Sequence, residues 1–268
     1  MILDPICEST RREVARLRAR TPIEALRARA PSAPPPRDIA RALAGPPLRL
    51  IAEIKKASPS AGLLRPRLSP ERIARAYRDA GAAAISVVTE RRFFAGDPRW
   101  IPIVRKASNL PVLMKDFFLD PWQIVRARTL GADAILLIAR ILAPSDLKAM
   151  LALSRDLGME PLVECHTASE VCAAAKAGAR IVGVNCRDLD TLEVDLGRTL
   201  RMARLLPAKA VRVAESGVKT RADALALERA DFDAILVGEA LMRSKDPGAA
   251  IRALLGGKAE RQDRAVRR

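Results

Sequence analysis

The chain has 268 residues, of which 49% are apolar, so it is long enough for a single α/β barrel with a sizeable core. No apolar run reaches the length of a membrane span, and the charged N-terminus lacks the apolar segment of a signal peptide. The net charge of +16 favours anionic ligands, but the arginines are spread along helices and only 3% of the residues are aromatic. We therefore expect a soluble, cytoplasmic protein with no membrane partner and no specific nucleic-acid partner.

The cysteines argue against a metal site. Cys7, Cys165, Cys172 and Cys186 form no C-x-x-C pair, and His166 is the only histidine. Zinc sites in proteins use closely spaced cysteine and histidine ligands. The sequence therefore predicts free thiols and no bound metal.

Residues 1–47 precede the repeating part of the chain and are predicted to be helical. The segment DPICESTRREVARLRARTPIEALRARA is typical of one helix or two, with a break near Thr21 and Pro22. A proline-rich connector, PSAPPP, and a short helix in RDIARALAG follow. This N-terminal helical extension is too short and too charged for a core of its own, so we expect it to pack on the barrel.

Eight apolar segments alternate with segments of helical periodicity over residues 48–256. Strands are predicted at 48–56, 83–90, 111–117, 134–141, 160–166, 180–187, 211–217 and 232–240. Such alternation indicates a parallel sheet, and eight units indicate a (β/α)8 barrel, the TIM-barrel fold. A doubly wound open sheet is the alternative, but no glycine-rich dinucleotide motif follows the first strand. The basic tail, 257–268, lies beyond the barrel and is a candidate for disorder.

Capping residues mark the helix boundaries. The predicted N-caps are Ser69, Asp120, Ser145, Thr167 and Thr220. Prolines suited to the first helical position and glycines suited to helix ends complete the pattern: Pro70, Pro121, Gly81, Gly131, Gly158 and Gly178.

Ionisable and amide side chains stand near the last inward-facing position of five predicted strands. Side chains alternate between the two faces of a strand, so Glu53 and Lys55 share one face and Lys56 points the other way. The other members of this set are Lys115, Glu164, Asn185 and Glu215. Active sites of such barrels lie at the carboxyl ends of the strands. The set indicates a catalytic site but does not name its reaction.

Serine and glycine residues in three loops on the same side of the barrel indicate a phosphate site. Ser216 and Gly217 follow the seventh strand, and Gly238 and Glu239 lie at the end of the eighth. Loops at these two places commonly bind phosphate, because glycine lets backbone N–H groups approach the anion. Ser58, which follows the first strand, adds a hydroxyl group on the same side.

Eight motifs, in order, resemble the indole-3-glycerol-phosphate synthase family. They are AEIKKASPSAG, SVVTERRFFAGDPRW, VLMKDFFLD, ADAILLIARIL, PLVECH, GVNCRDLDTLEVD, VAESGV and LVGEALMRSKDPG, and they span about residues 48–255. The resemblance implies a carbon–carbon lyase of tryptophan biosynthesis. Its substrate would be 1-(2-carboxyphenylamino)-1-deoxyribulose 5-phosphate, converted by ring closure, decarboxylation and dehydration to indole-3-glycerol phosphate, CO2 and water.

The resemblance also implies roles for the polar strand-end residues. Lys115 would be the general acid that protonates the substrate carbonyl. Lys55 would contact the substrate carboxylate and is a candidate proton donor in dehydration. A second lysine nearby would lower the pKa of Lys115, and a carboxylate would oppose this. Glu53 is the favoured base for dehydration, with Glu164 as the alternative or as the group that stabilises positive charge on the anilino nitrogen. Asn185, in the catalytic set, and Glu215 would bind and orient the substrate.

The remaining implied contacts surround the two ends of the substrate. The phosphate would be held by Ser58, Ser216, Gly217, Gly238 and the backbone amide of Glu239. The anthranilate ring would lie in an apolar slot formed by Phe94, Phe117 and Leu136. Arg187 is a further candidate for an anion contact or a loop anchor. The N-terminal extension would help to cover the site, and no cofactor would be needed.

Several interpretations remain open beside the resemblance. Phosphoribosylanthranilate isomerase, another phosphate-binding barrel enzyme, would use a Cys/Asp pair, and a nucleic-acid-binding barrel would gather its cations away from the strand ends. Cys186 stands where a polar residue is expected, but its position in the strand points it away from the barrel axis. His166 is interpreted as a rim residue that positions other groups. A monomer is expected, and other enzymes of tryptophan biosynthesis are candidate partners.

Overall fold

The computed structural model describes residues 3–187 and 193–256, and at its centre eight parallel strands close into a barrel. The strands are β1 (Arg49–Ile54), β2 (Ala84–Val88), β3 (Val112–Lys115), β4 (Ala134–Ile138), β5 (Leu162–Cys165), β6 (Ile181–Asn185), β7 (Val211–Glu215) and β8 (Ala234–Val237). Each strand pairs with the next one along the chain, and β8 pairs with β1. The predicted (β/α)8 barrel is confirmed, and the open-sheet alternative is wrong.

Three helices precede the first strand, and the other helices follow the strands and surround the barrel. They are α1 (Leu3–Arg20), α2 (Ile23–Arg29), α3 (Ile39–Leu43), α4 (Pro70–Asp79), α5 (Trp100–Ser108), α6 (Pro121–Thr129), α7 (Pro144–Asp156), α8 (Ala168–Lys176), α9 (Leu196–Met202), α10 (Arg221–Arg229), α11 (Glu239–Arg243) and α12 (Pro247–Leu255). A small antiparallel hairpin, Ala57–Ser58 with Gly62–Leu63, lies between β1 and α4. Within the described ranges, none of the helices is both long enough and apolar enough to cross a membrane. The tail predicted at 257–268 lies outside the described residues.

The barrel interior is apolar near its base and polar at its mouth. Ile51, Leu113, Leu162 and Val213 belong to one buried cluster inside the barrel, and Ile39 and Leu43 of α3 pack into the same cluster. Because side chains repeat every two residues along a strand, the residues two positions further on also point inward. These residues are Glu53, Lys115, Glu164 and Glu215.

Two aspartates bind the backbone on either side of α3 at the base of the barrel. The Asp133 carboxylate, which is fully buried, accepts hydrogen bonds from the backbone N–H groups of Val112 at 2.8 Å and Arg37 at 2.7 Å. Asp233 has the equivalent place before β8 and accepts from the backbone N–H of Gly45 at 3.2 Å. These hydrogen bonds hold α3 at the base of the barrel, where Ile39 and Leu43 pack into the interior cluster.

The N-terminal helices lie against the carboxyl-terminal side of the barrel and its outer helices. The helical break falls at the predicted place, since α1 ends at Arg20 and α2 begins at Ile23. The indole N–H of Trp122, on α6, donates to the carbonyl oxygen of Thr21 at 2.8 Å. Arg18 forms an ion pair with Asp120 at 2.7 Å. These contacts fix the direction in which α1 crosses the barrel mouth.

Most predicted helix boundaries agree with the structure. Asp120, Thr167 and Thr220 are N-caps whose side chains accept backbone hydrogen bonds, and Ser69 takes the N-cap position without such a bond. The prediction for Ser145 is wrong, because α7 already begins at Pro144, whose fixed φ suits the first helical position. The four predicted helix-end glycines all have positive φ.

Candidate active site

A cavity of about 550 Å³ opens at the carboxyl ends of the barrel strands. The structure brings all six of the polar strand-end residues singled out above to the wall of this cavity. They are Glu53, Lys55, Lys115, Glu164, Asn185 and Glu215. Lys56 is not among the lining residues, in agreement with its opposite position in the strand.

Lys115 lies between two buried carboxylates at the floor of the cavity. Its Nζ is 2.9 Å from Oε2 of Glu164 and 3.1 Å from Oε2 of Glu215. The other oxygen of Glu164, Oε1, accepts a hydrogen bond from the side-chain amide of Asn185 at 3.1 Å. Strands β3, β5, β6 and β7 therefore contribute one group each to a single hydrogen-bonded cluster.

Burial and charge act in opposite directions on this cluster. Burial lowers the pKa of the Lys115 ammonium, but the charges of Glu164, Glu215 and Glu53 outweigh it, so the net shift is upward. Burial raises the pKa of Glu164, but Lys115 and then His166 outweigh it and lower that pKa to about 2. Burial and the neighbouring Glu164 charge raise the pKa of Glu215 to about 8. The pKa shifts of the two glutamates are opposite, so Glu164 releases its proton at a lower pH than Glu215.

Glu53 and Lys55 form a second charged pair on the adjacent wall. The Lys55 Nζ is 2.7 Å from Oε1 of Glu53, which is itself 2% exposed. The expectation that Lys55 lowers the pKa of Lys115 is not met. Glu53 and the two other carboxylates raise that pKa instead. Gly238 makes room for the pair, since a Cβ atom at that position would overlap Glu53 Oε1.

One oxygen of Glu215 is buried against the neighbouring strand. Its Oε1 is buried and has no hydrogen-bond partner among the described residues, whereas Oε2 contacts Lys115. A Cβ atom at Gly183, on the neighbouring strand β6, would overlap Oε1. Gly183 therefore leaves the space that the Glu215 carboxyl group occupies. The sequence analysis did not single out Gly183, although glycine inside a strand often marks such a close approach.

The loops predicted to bind phosphate lie together on one side of the cavity. Ser216 and Gly217 both have positive φ, and a Cβ atom at Gly217 would lie 2.8 Å from Sγ of Cys186. Gly238 and Glu239 line the cavity beside them, at the start of α11. Ser58 also lines it and its hydroxyl accepts from the backbone N–H of Ala61 at 3.2 Å.

Arg187 anchors the loop that follows β6. Its backbone N–H donates to the side-chain oxygen of Asn185 at 3.0 Å, and its guanidinium is 3.8 Å from Oε2 of Glu239. Cys186, next to it, is buried and is not among the lining residues. Part of the motif GVNCRDLDTLEVD, residues 188–192, lies outside the described residues.

An apolar wall faces the charged groups. Phe94 and Phe117 have ring centroids 6.0 Å apart, and Leu136 lies on the same cavity surface. Leu3 and Ile6 of α1 also line the cavity, and sequence reasoning did not name them. Their spacing of three residues places them on one helix face, which is the signal that could have identified them.

Two further cations line the cavity near the serine and glycine loops. Lys219 follows the Ser216–Gly217 turn, and Arg243 lies in α11, where its Nε donates to Oε1 of Glu239 at 3.0 Å. Neither was predicted, although each lies within a few residues of a predicted phosphate loop. The cavity therefore combines an acid–base cluster, an apolar wall and a cationic loop region.

The four cysteines are free thiols, as predicted. Across residues 3–187 and 193–256, no group of three or more histidine, cysteine, aspartate or glutamate side chains is arranged to hold a metal ion. His166 is buried behind Glu164 rather than placed at the rim, because the chain turns directly into α8 after β5.

The closed parallel barrel, with ionisable side chains at its strand ends, defines a (β/α)8-barrel enzyme. The profile of the family described as "Indole-3-glycerol phosphate synthase" matches residues 3–254. Proteins named indole-3-glycerol phosphate synthase from Mycobacterium ulcerans (strain Agy99) and Mycobacterium tuberculosis (strain ATCC 25618 / H37Rv) are each 48% identical over 250 residues, covering 93% of this chain and 92% of theirs. The chain belongs to the indole-3-glycerol phosphate synthase family.

A solved structure of lower similarity supports the fold alone. The 3-hexulose-6-phosphate synthase of Salmonella typhimurium is similar with a TM-score of 0.61 and 15% identity, over 78% of this chain and 97% of that one. Barrels of this kind carry many different reactions, so the shared fold says nothing about the substrate.

Proposed function

We propose that the chain catalyses the reaction of its family, the conversion of 1-(2-carboxyphenylamino)-1-deoxyribulose 5-phosphate to indole-3-glycerol phosphate, CO2 and water in tryptophan biosynthesis. The observation that carries the proposal is the Lys115 ammonium, held at 2.9 Å and 3.1 Å from two buried carboxylates in a cavity that also has an apolar wall. Ring closure turns a carbonyl into a hydroxyl group and needs a placed proton donor.

Lys115 is the general acid of ring closure in this proposal. The surrounding carboxylates keep its pKa raised, so the proton is present when substrate binds. Glu164, ionised beside it, stabilises the positive charge that develops on the anilino nitrogen as the aromatic carbon attacks. Asn185 fixes the orientation of Glu164 by donating to its Oε1 at 3.1 Å.

Glu53 and Lys55 serve the later steps. Lys55 contacts the substrate carboxylate that leaves as CO2, and it pairs with Glu53 at 2.7 Å. During dehydration Glu53 accepts the ring proton, and Lys55 protonates the departing hydroxyl group, which leaves as water. The Glu215 carboxyl group, which lines the cavity, orients the ribulose hydroxyl groups.

The phosphate and the aromatic ring bind at opposite walls. Backbone N–H groups of the Gly217 and Gly238–Glu239 loops, with the hydroxyls of Ser58 and Ser216, hold the phosphate. Lys219 and Arg243 add positive charge nearby, and Arg187 holds the neighbouring loop in place. Phe94, Phe117 and Leu136 enclose the anthranilate ring, and α1 covers the opening.

The direct test is an assay with purified protein and the carboxyphenylamino-ribulose phosphate, in which product is followed by indole fluorescence. We expect turnover by the unmodified chain and a loss of about 10²- to 10⁴-fold in kcat for Lys115→Ala, because the general acid is removed. Circular dichroism of the variant should be unchanged. If the unmodified chain forms no indole product, the proposed function is wrong.

We further propose that the enzyme is a cytoplasmic monomer whose net charge of +16 attracts its phosphorylated substrate. Other enzymes of tryptophan biosynthesis are the partners to test. Light scattering behind a sizing column should give the mass of one chain. A mass of two chains at micromolar concentration would contradict this part of the proposal.

A further inference from the structure

The only histidine of the chain is enclosed between two carboxylates. His166 is 3% exposed, its Nε2 lies 3.3 Å from Oε1 of Glu164, and its Nδ1 lies 3.5 Å from Oε2 of Glu170. The ring is not among the residues that line the active-site cavity. His166 therefore touches the acid–base cluster from behind, on the side away from substrate.

Both carboxylates are held by other groups as well. Glu170, on α8, accepts the backbone N–H of His166 at 2.6 Å, so its carboxylate is fixed at the start of that helix. Glu164 contacts Lys115 through one oxygen and Asn185 through the other. The imidazole lies between these two anchored carboxylates at ion-pair distance from each, and neither ring nitrogen has a hydrogen-bond partner among the described residues.

We propose that His166 is a positioning residue for Glu164: the buried ring, packed between Glu164 and Glu170, limits the movement of the Glu164 carboxylate. This inference rests on the proposed function, since it assigns a support to the carboxylate that acts beside Lys115. Four side chains then lie next to one another in a row, from Glu170 through His166 and Glu164 to Lys115.

Imidazole has two nitrogen atoms, and each of them lies at ion-pair distance from one of the two carboxylates. A neutral ring has one N–H and can donate to only one of the two acceptors, whereas the protonated ring donates to both. With the ring packed beside Oε1 and Lys115 in contact with Oε2, the Glu164 carboxylate is enclosed on both sides.

Other charged and titratable groups near the ring are few. Arg140 lies on the helical turn Ala139–Ile141, which packs against both β5 and α8. Lys115 stands beyond Glu164, and the Cys165 thiol, whose pKa is raised by burial, precedes the ring in the chain. Arg187 lies on the loop after the neighbouring strand β6. Among the described residues, Glu164 and Glu170 approach the ring nitrogens as ion-pair partners, at 3.3 and 3.5 Å.

The kinetic test compares three variants with the unmodified chain. His166→Phe should lower kcat about 10- to 100-fold with little change in KM, the range typical when the partner of a functional side chain is removed. His166→Gln should retain more activity, because its amide can donate to Glu164. Glu170→Gln should lower kcat less, since it leaves the His166–Glu164 contact in place.

The pH profile separates positioning from simple loss of structure. His166 helps to keep the pKa of Glu164 low, so its removal should move the acidic limb of kcat to higher pH. Cys165→Ala is the matched control: it empties a buried site one residue away that faces the outer layer of the barrel. This control should lose thermal stability yet keep both kcat and the pH profile. If His166→Phe behaves like Cys165→Ala, the inference is wrong.

A spectroscopic test does not depend on turnover. Because the chain has one histidine, ¹⁵N labelling of histidine gives a single pair of ring signals. Glu164→Gln should change mainly the Nε2 signal, and Glu170→Gln mainly the Nδ1 signal. Ring signals unaffected by both variants would overturn the inference, whereas absent indole product with the expected shifts would refute the proposed function alone.

Discussion

Single side chains at the strand ends decide the chemistry of this barrel. Glu53 and Lys55 lie two residues apart and pair at 2.7 Å inside the cavity, whereas Lys56 is half-exposed and does not line it. The backbone of Lys56 has a structural task, because its carbonyl oxygen accepts the N–H groups of Leu64 and Arg65 at 2.9 and 3.2 Å. Two adjacent lysines therefore have different surroundings.

Substituting the two lysines tests this difference. Lys55→Ala should lower kcat/KM by about 10²-fold, because a charged contact to the substrate carboxylate is lost. Lys56→Ala keeps its backbone hydrogen bonds and should stay within about threefold of the unmodified chain. Steady-state kinetics of both variants decide the matter, and equal losses would show that strand alternation does not separate their roles.

Secondary-structure elements outside the barrel complete the site. α1 places Leu3 and Ile6 over the cavity, while Val14, further along the same helix, packs with Leu26 and Trp122. One helix thus has a section that faces the cavity and a section that anchors it. This division lets binding and stability be changed separately.

Ile6→Ala should raise KM roughly 10-fold with a smaller change in kcat, since an apolar contact over the cavity is lost. Val14→Ala removes buried apolar volume from the anchoring section and should lower the melting temperature while leaving KM unchanged. Kinetics and thermal unfolding of the pair are the measurements. A raised KM in Val14→Ala alone would mean that α1 does not cover the substrate.

At the other end of the barrel, the connector is held by a buried ionic cluster. Asp133 accepts from the Arg105 guanidinium at 3.0 Å in addition to its backbone donors. Removing the carboxylate leaves a buried cation and backbone N–H groups without an acceptor. Asp133→Ala should therefore lower the free energy of unfolding by about 3–5 kcal/mol.

Urea denaturation provides the measurement, and Asp233→Ala is the matched comparison. Asp233 has the equivalent backbone contacts before β8 but is partly exposed, so its loss should cost less. Asp133→Asn keeps one acceptor oxygen, so its loss of unfolding free energy should lie between those of Asp133→Ala and Asp233→Ala. A smaller loss for Asp133→Ala than for Asp233→Ala would contradict the importance assigned to burial.

Across the barrel, the buried carboxylates make stability depend on pH in two directions. The pKa of Glu215 is raised to about 8, so between pH 4.5 and 8 the folded chain binds a proton that the unfolded chain has released, and its contribution to stability falls as pH rises. The pKa of Glu164 is lowered to about 2, so its contribution is present above pH 4.5 and is lost as pH falls towards 2.

Glu215→Gln should remove the part of the fall in unfolding free energy with rising pH that Glu215 causes. Between pH 5 and 8, the Glu215 carboxyl group should lower the free energy of unfolding of the unmodified chain by up to about 1.4 kcal/mol per pH unit. The free energy of unfolding of the variant should change less with pH. Chemical denaturation at each pH is the measurement. Glu71→Gln, on the exposed face of α4, should leave the slope unchanged, and an identical slope in Glu215→Gln would refute the assignment.

Local patterns in the sequence were sufficient for the architecture and for the six polar strand-end residues of the cavity, but they did not identify Leu3, Ile6, Lys219 and Arg243. Strand alternation has a period of two, so it identifies which residues point into the barrel without any long-range information. Repetition of eight units and motifs such as VLMKDF and VAESG then place Lys115 and Glu215 at the mouth. Ser145 was misplaced because two signals, serine and the preceding proline, compete for the same helix start.

The pairing within the site was decided only by folding. Lys115 meets Glu164 and Glu215, which are 49 and 100 residues away, and these distances depend on how the strands tilt and close. The upward pKa shifts of Lys115 and Glu215, the space left by Gly183 and the cover from α1 all follow from that closure. Burial and charge act through space, so sequence order alone does not contain them.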